Sequence, residues 1–318
     1  MTTPIQSAVL IGQSPAMRGL RALIEQVAPT RLPVLIEGET GTGKELVAGL
    51  LHQLSRRNGN FVPFNVCAIG DSMFEDALFG HVRGSYTGAV SDSLGYLREA
   101  DRGTAFFDEI SALPMGLQAK LLRAIETGVF RPIGATRDAR SDFRVVAATN
   151  ESLVDAGTRG AFRADLRHRL SGVVVRVPPL SERVEDIPDL ARFFLREAAE
   201  LEVRETLDSG AIRLLMELSW PGNVRELKLV VETATALAPG SVDRRSVERA
   251  LLHRPGMVCD SLPVNDESLR RRELIVALHD AKWDVDRTAD GLGLHRTTLY
   301  RRMKEHGIEP PRFAARSC

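Results

Sequence analysis

The sequence predicts an α/β chain: a mostly parallel sheet flanked by helices, then a small helical unit, then a helix-turn-helix with a basic second helix. Three observations predict it. Short apolar runs alternate with helical patterns over residues 1–180. One run, Val34-Leu35-Ile36, leads into GETGTGKE at residues 38–45, and another, Thr104-Ala105-Phe106-Phe107, ends in Asp108-Glu109. Beyond Pro178-Pro179 the text turns helical and closes on a basic segment.

In chain order, residues 33–37, 61–65, 105–107 and 143–148 read as strands, and 45–56, 115–126 and 166–170 lie in helices. The first strand feeds a phosphate cradle. Gly38, Gly41 and Gly43 permit positive φ and close approach to an anion. Backbone N–H groups and a helix N-terminus then face the phosphates, and Lys44 adds a positive charge. The general pattern G-x-x-x-x-G-K-[ST] is met except at Glu45. The 105–107 strand delivers two carboxylates, which suits metal-assisted phosphoryl transfer. Asp108 would hold Mg²⁺, a cation that prefers oxygen ligands, and Glu109 would orient and deprotonate water. Ligands of parallel sheets bind at the carboxyl ends of the strands, where both motifs fall.

Residues 187–252 show apolar positions at helical spacing, among them Leu190, Phe194 and Leu201, with Pro221-Gly222 and Pro239-Gly240 as punctuation. No internal repeat is visible. The boundaries read as 1–180 for the α/β part, 181–252 for the helical part, 253–267 for a linker and 268–318 for the terminal unit. In that unit Thr288-Ala289-Asp290-Gly291-Leu292 closes a short helix, Gly293 sits at a turn, and 295–305 forms a second helix. Leu299 and Met303, four apart, would pack inward and leave Arg296, Thr297, Thr298, Arg301, Arg302 and Lys304 for DNA. Arginine reads guanine bidentately, and threonine can touch a thymine methyl or a phosphate. From Leu294 to Cys318 there are six Lys or Arg against two Glu, on a chain whose 42 basic and 42 acidic residues cancel as a whole.

Composition sets outer bounds. The 318 residues allow roughly two or three domains. A 43% hydrophobic and 26% charged chain can bury a sizeable core. No apolar run approaches the roughly 18 residues of a membrane span, and the N-terminus lacks a basic region before an apolar one. Three scattered cysteines, Cys67, Cys259 and Cys318, suit a reducing cytoplasm and lack metal-ligand spacing.

Read together, these motifs resemble the bacterial enhancer-binding proteins, the AAA+ activators of sigma-54 RNA polymerase. The resemblance runs from IGQSPAM at Ile11–Met17 through GETGTGKE, in which the family also carries Glu after the lysine. It continues in LFGHVRGSYTGA (Leu78–Ala89), GTAFFDEI (Gly103–Ile110), RVVAATN (Arg144–Asn150) and FRADLRHRL (Phe162–Leu170). PPLSERVEDIP (Pro178–Pro188) and WPGNVREL (Trp220–Leu227) complete the ATPase, and GLGLHRTTLYRRMKEHGI (Gly291–Ile308) looks like a Fis-type helix-turn-helix.

The resemblance implies an AAA+ P-loop ATPase with a helical lid. Gly38, Glu39, Thr40, Gly41, Thr42, Gly43, Lys44 and Glu45 would bind ATP, and Asp108 and Glu109 would be the Walker B pair. Asn65 would switch Glu109 between poses. Thr149 and Asn150 would fall in sensor I, and Arg225 would be the sensor II arginine. Arg163 and Arg169 would reach into a neighbouring subunit, which implies a hexamer when active and a dimer when inactive. Spacing alone does not give that role, since positions six apart on a helix point about 120° from each other. Gly84, Ser85, Tyr86, Thr87, Gly88 and Ala89 would form the loop that contacts sigma-54. The family's usual text there is GAFTGA; here Ser replaces Ala and Tyr replaces Phe. Only about ten residues precede the ATPase, so control by a regulatory protein in trans is expected rather than by a sensory domain in cis. The resemblance implies a cytoplasmic activator that binds enhancer DNA and remodels sigma-54 RNA polymerase at the expense of ATP. An alternative is a DNA-binding regulator of ordinary promoters whose ATPase controls oligomerisation only.

Overall fold

A computed structural model of the chain describes residues 9–70, 73–198, 206–238, 240–253 and 266–308. They divide into two compact units: residues 20–177 with the segment up to Leu10, and Ile11–Gly19 with the chain from Pro178 onward.

The first unit is built on a sheet. Helix α1 (Pro15–Val27), whose first turn counts with the second unit, precedes β1 (Val34–Glu37), α2 (Lys44–Gln53), β2 (Phe61–Asn65), α3 (Phe74–Phe79) and α4 (Tyr96–Glu99). Then follow β3 (Thr104–Asp108), α5 (Met115–Thr127), the short β4 (Val129–Phe130) and β5 (Ala139–Arg140), β6 (Arg144–Thr149), α6 (Leu153–Thr158), α7 (Ala164–Leu170) and β7 (Val173–Arg176). Five strands form one sheet in the order β2-β3-β6-β1-β7, and every pairing is parallel. Asn65 lies opposite Asp108, and Glu37 opposite Thr149, so the strands end together at one edge. Alternate residues Leu35, Val62, Phe64, Ala105, Phe107, Val145 and Ala147 share a core with Leu78, Phe79, Leu121, Leu166 and Leu170 from the helices.

The four expected strands are present, with ends displaced by a residue or so. The sequence reading placed no element at α1, α3, α4, α6, β4, β5 or β7. β7 is a four-residue valine-rich run just before Pro178-Pro179, and it forms the edge strand beside β1. The end of α1 is tied to β6 at long range. Arg144, buried at the start of β6, donates from Nη1 to Ala28 O at 2.6 Å, from Nη2 to Val27 O at 3.1 Å and from Nε to Leu32 O at 3.1 Å. Burial lowers its guanidinium pKa to about 10.

The second unit carries α8 (Ile187–Ala198), β8 (Thr206–Leu207), α9 (Ser209–Glu217), α10 (Asn223–Leu237), β9 (Ser241–Val242) and α11 (Arg244–Leu252). Helices α12 (Asp266–Asp280), α13 (Val285–Gly291) and α14 (Arg296–Glu305) follow. Residues 187–252 are therefore not wholly helical: β8 and β9 pair in parallel. Each pairs just ahead of an aspartate N-cap, Asp208 accepting from Ala211 N at 2.6 Å and Asp243 from Ser246 N at 2.8 Å. In WPGNVREL, the buried Asn223 sits at φ 51° and its Oδ1 accepts from Leu180 N at 2.7 Å. One hydrophobic cluster joins Leu190, Phe194, Leu215, Trp220, Leu227 and Val231 to Leu274, Ile275, Leu278, Leu299 and Met303. Arg271 of α12 adds an ion pair to Glu185 at 3.2 Å. Most of the expected linker, 254–265, lies outside the described residues, as do Leu201, Arg312, Arg316, Cys259 and Cys318. No helix among the described residues is long and apolar enough to cross a membrane.

Candidate functional site

The cradle is made by a strand that stops and a helix that starts after six intervening residues. Gly41 and Gly43 adopt φ of 79° and 102°. Gly38 does not take positive φ; its need for glycine is space. A Cβ there would lie 3.0 Å from Thr42 Oγ1 and 3.1 Å from both Val177 Cβ and Val177 O. Thr42 ties the loop together by donating to Glu39 O at 2.8 Å. Lys44, the first residue of α2, is 7% exposed, and its ammonium donates to Gly38 O at 2.8 Å. The same ammonium lies 3.5 Å from Glu109 Oε1. Glu45 is exposed.

The acidic pair ends β3. Glu109 adopts a left-handed backbone, φ 53° and ψ 48°, which is uncommon for a residue with a Cβ and re-aims its side chain. Its carboxylate meets Lys44 on one side and accepts from Asn150 N at 3.3 Å on the other. Asn150 also donates from Nδ2 to Thr40 Oγ1 at 3.3 Å. So Thr40, Lys44, Glu109 and Asn150 converge from the ends of β1, β3 and β6. Asn65 lies opposite Asp108, but its Oδ1 accepts from Cys67 N at 2.9 Å, and Glu109 is held by Lys44 and Asn150 instead. Among the other arginines, Arg225 is exposed near the start of α10 in the second unit.

Arg163 and Arg169 are both exposed, yet they do not share a helix as the sequence suggests. Arg163 is the extended residue capping α7, and only Arg169 lies in the helix. Arg163 donates to Asp165 at 2.8 and 3.1 Å, a bond that raises its pKa. The residue that fixes its backbone escaped the sequence reading. Gln118, fully buried on α5, accepts from Arg163 N at 2.8 Å and donates to Leu113 O at 2.8 Å and Ala161 O at 2.9 Å. A glutamine amid Leu117 and Leu121 was the available signal.

Gly84 to Ala89 form a loop closed by Gly84 N to Ala89 O at 2.9 Å, with Gly84 and Gly88 at φ of 80° and 107°. Tyr86 is 45% exposed and the neighbouring Val90 83%. Thr87 and Gly88 are exposed, and Ala89 is buried. Ser85 packs against Gly134, where a Cβ would lie 2.5 Å from Ser85 Cβ, and its buried hydroxyl has no hydrogen-bond partner.

The recognition-type helix α14 buries Leu299 and Met303 and exposes Arg296, Thr297, Arg301, Arg302 and Lys304, while Thr298 is half-buried. Gly293, at φ 63°, makes the turn. Arg296 pairs with Asp286 at 3.1 Å and lies 5.7 Å from the centroid of the Tyr300 ring, and Arg301 approaches Glu305 at 3.7 Å. Such exposed pairs are weak and leave the cations available to a polyanion. Tyr300, 48% exposed between the arginines, was not singled out by sequence.

Comparison with known proteins accords with this geometry. Residues 10–176 match the sigma-54 interaction domain, 181–255 the AAA+ ATPase lid domain, and 269–306 the Fis family of bacterial regulatory proteins. The chain is 38% identical over 338 residues to the DNA-binding transcriptional regulator NtrC of Rhizobium meliloti, covering 94% of this chain and 70% of that protein. It is 40% identical over 315 residues to the Nif-specific regulatory protein of Klebsiella pneumoniae, covering 96% and 60%. It is 48% identical over 239 residues to the anaerobic nitric oxide reductase transcription regulator NorR of Salmonella newport, covering 74% and 47%. The chain thus spans from about half to 70% of the length of these relatives. Among solved structures, NtrX from Brucella abortus in complex with ADP superposes with a TM-score of 0.73 at 33% identity, covering 96% of this chain and 71% of that one. A RuvB mutant from Thermotoga maritima shares the fold alone, with a TM-score of 0.53 at 18% identity over 96% of this chain and 92% of that one. With the sigma-54 interaction domain matched over more than half its length, the chain belongs to the family of sigma-54-dependent AAA+ activators, carrying the AAA+ lid and a Fis-type helix-turn-helix.

Proposed function

We propose that this chain hydrolyses ATP with Mg²⁺, assembles as a hexamer on upstream enhancer DNA, and uses turnover to remodel sigma-54 RNA polymerase. The observation that carries the reading is the convergence of Lys44, Glu109, Asn150 and Thr40 at the carboxyl edge of a parallel sheet, beside a glycine loop in which a Cβ at Gly38 would crowd Thr42 and Val177. An ammonium parked on backbone carbonyls can turn to a phosphate, and the N–H groups of the loop suit an anion. Asp108 would offer Mg²⁺ the hard oxygen donor it takes, and the ion would supply charge neutralisation between phosphates. Glu109, with its carboxylate held between Lys44 and Asn150, orients and deprotonates water. Asn65 acts on Glu109 by moving from its present bond to Cys67.

The remaining roles follow the family pattern. Arg163 and Arg169, both exposed, complete the site of a neighbouring subunit. Arg225 contacts nucleotide from the lid. The loop from Gly84 to Ala89, with Tyr86 outermost, contacts sigma-54. Arg296, Thr297, Thr298, Arg301, Arg302 and Lys304 contact DNA. The boundaries 1–180, 181–252, 253–267 and 268–318 are part of the proposal. NtrX in complex with ADP supports nucleotide binding by a structural relative.

Co-elution with sigma-54 tests the reading. The protein is held with ADP and a metal-fluoride mimic of the transferred phosphoryl group. Stable co-elution that is lost in Tyr86→Ala is the expected result. A nucleotide-bound hexamer that ignores sigma-54 would transfer the chain to the class of ordinary promoter regulators. For the DNA face, Arg301→Ala should weaken site binding and flatten its dependence on salt.

A further inference from the structure

The loop carries a hydroxyl that the family's phenylalanine lacks, and that hydroxyl has a partner. Asp76 lies on α3, a helix anchored by buried Phe74, Leu78 and Phe79. Its two carboxylate oxygens are engaged separately. Oδ1 meets His81 Nδ1 at 2.5 Å, and Oδ2 accepts from the Tyr86 hydroxyl at 3.4 Å. His81 is itself fixed by backbone bonds, His81 N to Ser93 O at 3.1 Å and Ser93 N to His81 O at 2.9 Å. The His81 ring also meets Tyr86 edge-on, with centroids 5.2 Å apart and planes at 63°.

Backbone bonds close the base of the loop, Gly84 N to Ala89 O at 2.9 Å and Ala89 N to Tyr86 O at 3.1 Å, but they do not reach the Tyr86 side chain. A Cβ added at Gly84 or Gly88 would meet nothing within 4 Å, so both hinges sit in open space. The Tyr86 side chain itself is held toward the domain by Asp76 on α3 and by His81 at its bridge to Ser93. We propose that Asp76 and His81 are positioning residues that retain Tyr86 in a withdrawn pose and so set the threshold at which nucleotide delivers the loop to sigma-54. This rests on the reading of Tyr86 as the sigma-54 contact. A ligand that needs the advanced pose binds in proportion to how often that pose is populated, so loosening the withdrawn pose lowers the threshold.

The test is sigma-54 co-elution titrated against the ADP–metal-fluoride mimic, for the unaltered chain, Asp76→Ala, His81→Ala, Tyr86→Phe, the Asp76→Ala/Tyr86→Phe double and Tyr86→Ala. Losing one such hydrogen bond should lower the concentration for half-capture by about three- to tenfold in Asp76→Ala and in Tyr86→Phe. His81→Ala should do the same through the lost ring edge. The double should fall no further than the stronger single, because both remove one bond. Basal ATP turnover of Asp76→Ala should match the unaltered chain. If it does not, Tyr86→Phe, which keeps the ring, decides alone. Capture at the original threshold in the single variants, or additive effects in the double, overturns the proposal. Capture that persists in Tyr86→Ala overturns instead the assignment of Tyr86 to sigma-54, so the two failures are told apart.

Discussion

The phosphate cradle and the Gly84–Ala89 loop are both short glycine-bounded segments, and the glycines serve opposite ends. In the cradle a Cβ at Gly38 would press on Thr42 and Val177 at 3.0 to 3.1 Å, and the lysine that follows is 7% exposed. In the loop a Cβ at either glycine meets nothing within 4 Å, and Tyr86 is 45% exposed. One segment has spent its freedom on a fixed shape for an anion. The other is closed by backbone bonds at its base, leaves its glycines uncrowded, and holds Tyr86 by a few side-chain contacts. A glycine in a motif thus carries two physical meanings, crowding or mobility, and only the neighbours tell which.

The largest expected effect lies on the fixed side. Glu109→Ala should still bind nucleotide but lose about 10²–10⁴-fold in turnover, the usual scale for a lost general base. Separate binding and turnover assays check it, and normal turnover would remove Glu109 as the base. Next is the foundation under the cradle. Arg144→Ala removes three hydrogen bonds to carbonyls around the end of α1, leaving Ala28 O and Leu32 O without that donor while Val27 O keeps Thr30, and should destabilise the first unit by about 3 kcal/mol, read from denaturant midpoints. A loss under about 0.5 kcal/mol would mean water serves those carbonyls as well. The direct contest between the two segments is smaller. Gly38→Ala should weaken nucleotide affinity by crowding, about tenfold or more, as overpacking of a tight site does. Gly84→Ala, at φ 80° in open space, should cost about 1 kcal/mol of backbone strain in this loop pose and nothing by crowding. If the two substitutions act alike on nucleotide affinity, the contrast is wrong. The smallest effect is Ser85→Ala. Removing a buried hydroxyl without a partner should leave stability unchanged or raise it by about 1 kcal/mol, seen in thermal melts.

The same contrast explains what was legible in the sequence. Apolar runs at Val34–Ile36 and Thr104–Phe107 announced central strands because both faces of a parallel sheet are buried. Local motifs gave the residues that the fold brings together as Thr40, Lys44, Glu109 and Asn150. What escaped depends on distant partners. Gln118 looks like any helix polar residue until Arg163 and Ala161 are beside it. Asp208 and Asp243 are ordinary helix caps, and the pairing of β8 with β9 ahead of them joins segments over thirty residues apart. The left-handed backbone of Glu109 left no trace in its residue type, since glutamate has no preference for that region.

Three family matches divide this chain, but its hydrophobic contacts divide it differently. Leu274, Ile275, Leu278, Leu299 and Met303 of the DNA-binding end belong to the same buried cluster as the lid. Heat should therefore melt lid and helix-turn-helix as one cooperative body, and calorimetry should not resolve a separate transition for residues 269–306. Such a body feels a ligand anywhere on it. A DNA site bound through α14 and present at about a hundred times its dissociation constant would stabilise the lid helices by about 2.7 kcal/mol. An enhancer would then act as a thermal brace for part of the ATPase as well as an address for it.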